Sequence, residues 1–105
     1  MQRPEPPYYA VIFTSRRTDV DHGYAERASQ MSALAAEQEG YLGETSVRDA
    51  DGLGITVSYW RDEAAIAGWR KNLEHTESRR RGRAEWYEEF DVRVARVERS
   101  YGFER

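Results

Sequence analysis

The chain contains no cysteine, which excludes disulfides, thiolate nucleophiles and cysteine-ligated zinc or iron–sulfur sites. Its two histidines, His22 and His75, are too few for a histidine-rich metal centre, so any metal would have to rest largely on carboxylates. The three prolines, Pro4, Pro6 and Pro7, all lie in the first seven residues, leaving the rest free for regular structure. No run of about 18 apolar residues occurs, which excludes a membrane-spanning helix. The start MQRPEPPYY lacks the basic head and apolar stretch of a secretory signal, so a cytoplasmic location is expected. Positive charge is not in excess either. A net charge of −3 and a sequence pI near 5.4 argue against non-specific binding to nucleic acid.

Branched aliphatics are also scarce. Only 14 of 105 residues are Val, Ile or Leu, against 13 Phe, Trp and Tyr, so aromatics must supply much of the core and a partner subunit could bury more. The length fits one domain, with residues 1–7 as an arm and 8–105 as the folded unit.

Along the chain, YYAVIFT (8–14) is apolar on both alternating faces: Tyr9, Val11 and Phe13 on one, Tyr8, Ala10 and Ile12 on the other. This predicts a strand covered on both sides. After a polar break at 15–18, Asp19 or Asp21 is expected to cap a helix with Tyr24, Ala28, Met31, Leu34 and Ala35 on one face. Segments 41–48 and 54–60 read as a hairpin around Asp49-Ala50-Asp51-Gly52. Asp62 opens a second helix with Ile66, Trp69 and Leu73 on one face, and a break is expected at Asn72–Glu74. A helical stretch over about 76–88 and a bulged strand from Phe90 to Tyr101 complete the chain. Strand, helix, strand, strand, helix, strand is the ferredoxin-like βαββαβ order, an α+β fold with two helices on one face of a four-stranded antiparallel sheet. Since the first strand is apolar on both sides, two sheets are expected to pack face to face in a homodimer.

GYLG at 40–43, GITVSYWRDEAAIAGWRKNLEH at 54–75 and RAEWYEEFDVRVARVERSYGF at 83–103, in this element order, resemble the antibiotic biosynthesis monooxygenase family of dimeric α+β barrels. The resemblance covers about residues 8–103. It implies a cavity between sheet and helices holding an aromatic polyketide, a quinol or haem, and oxidation by molecular oxygen without metal or flavin. Trp69 matches the family's second-helix Trp, and His75 the His that often follows it. Haem degradation is disfavoured: the only Asn is Asn72, on the second helix rather than near the first strand, and His75 lies closer to Trp69 than the axial His does in haem-degrading members.

Oxygen chemistry without a cofactor needs a substrate that becomes an electron-rich carbanion or phenolate, a base, and donors for the anion. His75, with its ordinary pKa near 6.5, is the candidate base and Trp69 its catalytic neighbour, with Asn72 close by on the same helix. Arg79 could pair with an oxyanion, while Tyr59, Trp60 and Trp86 are candidate walls of the substrate site. Tyr59 and Trp60 alternate along one strand, so only one of them can face the intrasubunit cavity. Arg79, Arg80, Arg81 and Arg83 lie among glutamates at helical spacing and read as a salt-bridged exposed face. Asp49 and Asp51 lack the further ligands of a calcium loop. The expected activity is therefore a cofactor-independent monooxygenase acting on an aromatic, polyphenol or quinol-type molecule. The alternatives are a haem-binding or haem-degrading enzyme and a non-catalytic dimeric binder of a hydrophobic metabolite.

Overall fold

The computed structural model describes residues 3–19, 23–74 and 86–105. Six elements follow one another: β1 (Tyr8–Arg17), α1 (Tyr24–Ala36), β2 (Tyr41–Arg48), β3 (Leu53–Trp60), α2 (Glu63–Glu74) and β4 (Tyr87–Val97). The strands form one antiparallel sheet in the order β2-β3-β1-β4, which is the ferredoxin-like topology expected from the element order.

β1 is central and longer than its apolar run. Ser15, Arg16 and Arg17, expected as a break, continue the strand because β3 and β4 flank them and satisfy their backbone groups. The β2–β3 hairpin closes as its turn residues predict. Gly52 adopts φ 92°, and the Asp49 carboxylate accepts from the backbone N–H groups of Asp51 (2.9 Å) and Leu53 (3.1 Å).

α1 begins differently from expectation. Gly23, in a left-handed conformation at φ 83°, occupies the N-cap position, with no side-chain cap among the described residues; Asp21 lies outside them. α2 is capped by Asp62, whose carboxylate accepts from the Ala65 N–H at 2.8 Å. The expected break at 72–74 is absent, since α2 runs on through Glu74. Of the helical stretch expected over 76–88, Tyr87 and Glu88 belong instead to β4, and 76–85 lie outside the described residues.

The bulge in β4 also falls elsewhere than its sequence phase shift suggests. From Glu89 to Val97 the pairing with β1 is unbroken, and the irregularity lies at the other end, where Arg16 pairs Glu89 but Arg17 pairs Tyr87. Val94 on one face, with Ala95 and Val97 on the other, reflects a strand end apolar on both sides rather than an extra residue.

Directly paired residues share a face, so the register assigns every strand side chain. The helix-side face carries Tyr9, Val11, Phe13 and Ser15 of β1, Tyr41 and Arg48 of β2, Trp60, Ser58 and Gly54 of β3, and Phe90, Val92 and Val94 of β4. The core gathers at one end of this face. Trp60 is fully buried with Ala35 of α1 and Ile66 of α2, and Tyr9, Val11, Tyr41, Ala65 and Trp69 pack around them. The opposite face carries Tyr8, Ala10, Ile12, Tyr59 and Val57, together with the exposed Val47, Leu53 and Ile55. Tyr8 and Tyr9 are thus divided between the two faces.

Gly40 joins helix to sheet where no larger residue fits. At φ 85°, a Cβ there would stand 2.5 Å from Ala65 Cβ, while the Gly40 carbonyl accepts from the Arg61 N–H at 2.8 Å.

Candidate functional site

Aromatic side chains on the helix side form two clusters, one at each end of β1. The first centres on Trp60, which stacks on Trp69 (centroids 6.2 Å apart, planes at 22°) and meets the edge of Tyr41 at 5.6 Å. Its indole N–H donates to Ser58 Oγ at 2.9 Å. With no exposed surface, Trp60 acts as the floor beneath Trp69 rather than as a wall open to a ligand. Trp69 itself is half-buried and keeps an accessible side.

The second cluster lies at the β1 end near Arg17. Phe13 stacks on Phe90 at 5.4 Å and meets Tyr87 edge-on at 5.5 Å, while Tyr24 meets Trp86 at 5.7 Å and Tyr87 at 5.9 Å. Trp86 reaches this position because its carbonyl accepts from the Thr18 N–H (2.9 Å) and from Arg17 Nε (3.0 Å). Trp86 is buried, and its indole N–H has no hydrogen-bond partner among the described residues. Burial, and then a hydrogen bond to Tyr24, push the Tyr87 phenol well above its ordinary pKa despite the opposing pull of Arg48 and Arg17.

Two arginines surround Tyr24. The Arg17 guanidinium lies 3.4 Å above its ring, and Arg48 reaches its hydroxyl from β2 across the same face of the sheet. Arg48 does so by crossing β3 over Gly54, where an added Cβ would stand 2.6 Å from the guanidinium carbon. It donates to Ser15 Oγ (2.8 Å), Ser15 O (3.3 Å), Gly52 O and Tyr24 Oη (3.4 Å). All four acceptors are neutral.

Val11, Val92 and Val94 lead from the first cluster to Phe13 and Phe90 of the second, forming an apolar strip along β1 and β4. Val92 and Val94 are about half exposed (50% and 51%), because among the described elements α1 packs chiefly on β2 and α2 on β3. Apolar side chains thus run from one aromatic cluster to the other along β1 and β4.

Measured against the residues singled out from sequence, Trp69 and Trp60 are brought together. Tyr59 faces the other side of the sheet, where its ring meets Tyr8 at 5.8 Å, and so does not share the helix-side space. Trp86 is on the helix side but at the far end: Trp60 pairs with Tyr9 while Trp86 bonds to Arg17, about 26 Å along the strand at about 3.3 Å per residue. One pocket walled by both Trp69 and Trp86 is thus replaced by a strip with one at either end. Asn72 is exposed, its amide donating to Gln38 Oε1 at 2.7 Å, and it ties α2 to the end of α1. His75 and Arg79 lie outside the described residues. Sequence reasoning missed Arg48, Ser15 and Gly54. A glycine inside a strand pattern was the available signal, since it marks a close approach.

Among the described residues no three His, Asp or Glu side chains converge as a metal site, and no helix is long and apolar enough to cross a membrane. The fold is a ferredoxin-like α+β domain whose helix-side face carries an exposed apolar strip along β1 and β4. Comparison with known proteins narrows the class. The sequence profile described as antibiotic biosynthesis monooxygenase matches residues 7–81, and the chain belongs to that family. It is 54% identical over 101 residues to the uncharacterized protein YqjZ of Bacillus subtilis, covering 96% of this chain and 89% of that one. Its fold is similar to that of SnoaB, a cofactor-independent oxygenase from Streptomyces nogalater (TM-score 0.76, 12% identity, covering 90% of this chain and 97% of that one). It is also similar to PA3566 from Pseudomonas aeruginosa (TM-score 0.67, 21% identity, covering 91% and 97%).

Proposed function

We propose that this protein is a cofactor-independent monooxygenase acting on an aromatic, polyphenol or quinol-type small molecule held on the β1–β4 strip. The observation that carries the reading is the strip itself, in a chain of the monooxygenase family: an open apolar surface, Val11, Phe13, Val92 and Val94, between Trp69 at one end and the Tyr24–Tyr87 cluster at the other. The likeness to the oxygenase SnoaB supports it at the level of fold.

In this reading the substrate supplies the electrons. When a methylene beside a phenolic ring is oxidised to a carbonyl, one oxygen atom of O₂ enters the product and the other leaves as water. The carbon gives up four electrons, and no external reductant is consumed. The protein's part is to desolvate the ring, remove a proton and hold the resulting anion. His75 is proposed as the base and Arg79 as a donor to the anion, with Trp69 stacking on the ring. The unit is proposed to be a homodimer joined through the face that carries Val47, Leu53 and Ile55.

The test is oxygen uptake, measured with an oxygen electrode on chelator-treated protein, without nicotinamide or flavin, against a panel of quinols and polyphenols. Uptake that falls away in His75→Ala or Trp69→Ala supports the reading. Binding of panel members with no oxygen consumed by any of them would instead identify a non-catalytic carrier.

A further inference from the structure

We propose that Arg48, Arg17 and Tyr24 form an anion-recognition corner at the Phe90 end of the strip, and that the ligand is a planar aromatic bearing an acidic oxygen, a carboxylate or an ionised phenol, at that end. The inference rests on the preceding reading in one respect, that the strip holds a flat ring system. It adds which way the ligand lies and what charge it carries.

Three observations support it. The first is Arg48, whose half-buried guanidinium donates only to neutral oxygens. Among the described residues it has no carboxylate partner, although other surface arginines do, such as Arg61 with Glu39 and Asp62. A guanidinium withdrawn from water and bonded to neutral groups gains more from an arriving anion than a solvated one does. The second is Tyr24. Its ring is held by Arg17 at 3.4 Å, and its hydroxyl accepts from Arg48 Nη2. With Tyr87 donating to the same oxygen, the Tyr24 hydroxyl proton is left for an acceptor oxygen. The third is the Trp86 indole N–H, a buried donor with no acceptor among the described residues, in the ring that meets Tyr24 edge-on at 5.7 Å. Register then sets the direction. Ser15, Phe90 and Arg48 occupy one cross-strand row with Gly54, while Phe13 and Val92 occupy the next, so the corner adjoins the apolar strip.

The corner is also built for the arginine rather than merely filled by it. Gly54 removes the side chain that would block the guanidinium, and Ser15, only 1% exposed, presents its hydroxyl where Arg48 arrives. Lysine could not make this contact, because its single ammonium lacks the planar fork that spans Ser15, Gly52 and Tyr24 together.

The experiment compares two isosteric probes, naphthalene-2-carboxylate and naphthalene-2-carboxamide, by quenching of tryptophan fluorescence. The proposal predicts that the carboxylate binds about tenfold more tightly. This preference should shrink toward unity in Arg48→Met and be only partly kept in Arg48→Lys. Should the Arg48 variants fail to fold, the wild-type protein still gives an answer: raising sodium chloride from about 0.05 to about 0.5 M must weaken the carboxylate and spare the carboxamide. Equal binding of the two probes overturns the anion corner while leaving the strip intact. A carboxylate preference untouched in folded Arg48→Met and Arg48→Lys overturns its location. Binding of neither probe overturns the corner and the strip together.

Discussion

Gly54→Ala isolates the contact on which the Arg48 network depends. The backbone at Gly54 needs no left-handed conformation, so alanine fits the strand and clashes only with the guanidinium, at 2.6 Å from Cζ and 2.8 Å from Nη1. Arg48 then has to leave Ser15 Oγ and Gly52 O, its two well-formed bonds, along with the two longer contacts at 3.3 and 3.4 Å. Hydrogen bonds to a charged group contribute about 1.5–3 kcal/mol each. Discounted for the half-exposed side chain, loss of the network costs about 2 kcal/mol. Alanine returns about 0.5–1 kcal/mol through its lower conformational entropy in the unfolded chain. The net destabilisation of about 1–1.5 kcal/mol corresponds to a fall in Tm of about 5–10 °C for a domain of this size. Thermal and urea melts of the wild type, Gly54→Ala, Arg48→Ala and the double variant read out the coupling. In the Arg48→Ala background the same glycine substitution should become neutral or slightly stabilising. An equal cost in both backgrounds would show that Arg48 does not fill the space over Gly54 and would remove the basis of the anion corner.

Further outcomes follow from other parts of the structure. Trp60→Ala, which empties the centre of the core, should cost about 3–5 kcal/mol in urea unfolding, whereas the half-buried Trp69→Ala should cost clearly less while weakening ligand quenching. The Asp62 carboxyl is held below its ordinary pKa first by the Ala65 N–H and then by Arg61, so its contribution is present above about pH 4 and is lost as pH falls through the lowered folded value. Asp62→Ala should therefore reduce Tm at neutral pH but not at strongly acid pH. Tyr87 has the opposite sign. Its raised pKa means that stability is complete below about pH 10 and declines as alkali ionises the unfolded chain first, a decline that Tyr87→Phe should lessen in pH-dependent melts. Ile55→Arg, on the face away from the helices, should convert a dimer to monomer by light scattering, and a stable wild-type monomer at micromolar concentration would refute the proposed interface. Titration with haemin should give no Soret shift.

Much of the fold was legible because its signals are local and periodic. Alternation in YYAVIFT placed Tyr9, Val11 and Phe13 on one face, and the Asp-Gly turn fixed the hairpin. Asp62 announced α2 by its capping chemistry. Errors arose where tertiary pairing overrode local pattern. Ser15–Arg17 read as a break but form strand because two neighbours pair with them, and the apolar phase shift near Ala95 read as a bulge although that end is apolar on both faces. The site was less legible still. Trp60 and Trp86 are similar in sequence terms, yet the register sends them to opposite ends of the sheet. Arg48 could not be singled out among 15 arginines, because its distinction is the path over Gly54 to Ser15, two strands away.

The central claim is that the small molecule lies on the helix side of the sheet, along β1 and β4. Methyl-labelled protein titrated with naphthalene-2-carboxylate tests it most directly by nuclear magnetic resonance, because an aromatic ring shifts the methyl groups it covers. The methyl resonances of Val11, Val92 and Val94 should move together and saturably, while those of Val47, Leu53 and Ile55 on the opposite face stay in place. Shifts confined to Val47, Leu53 and Ile55 would contradict it.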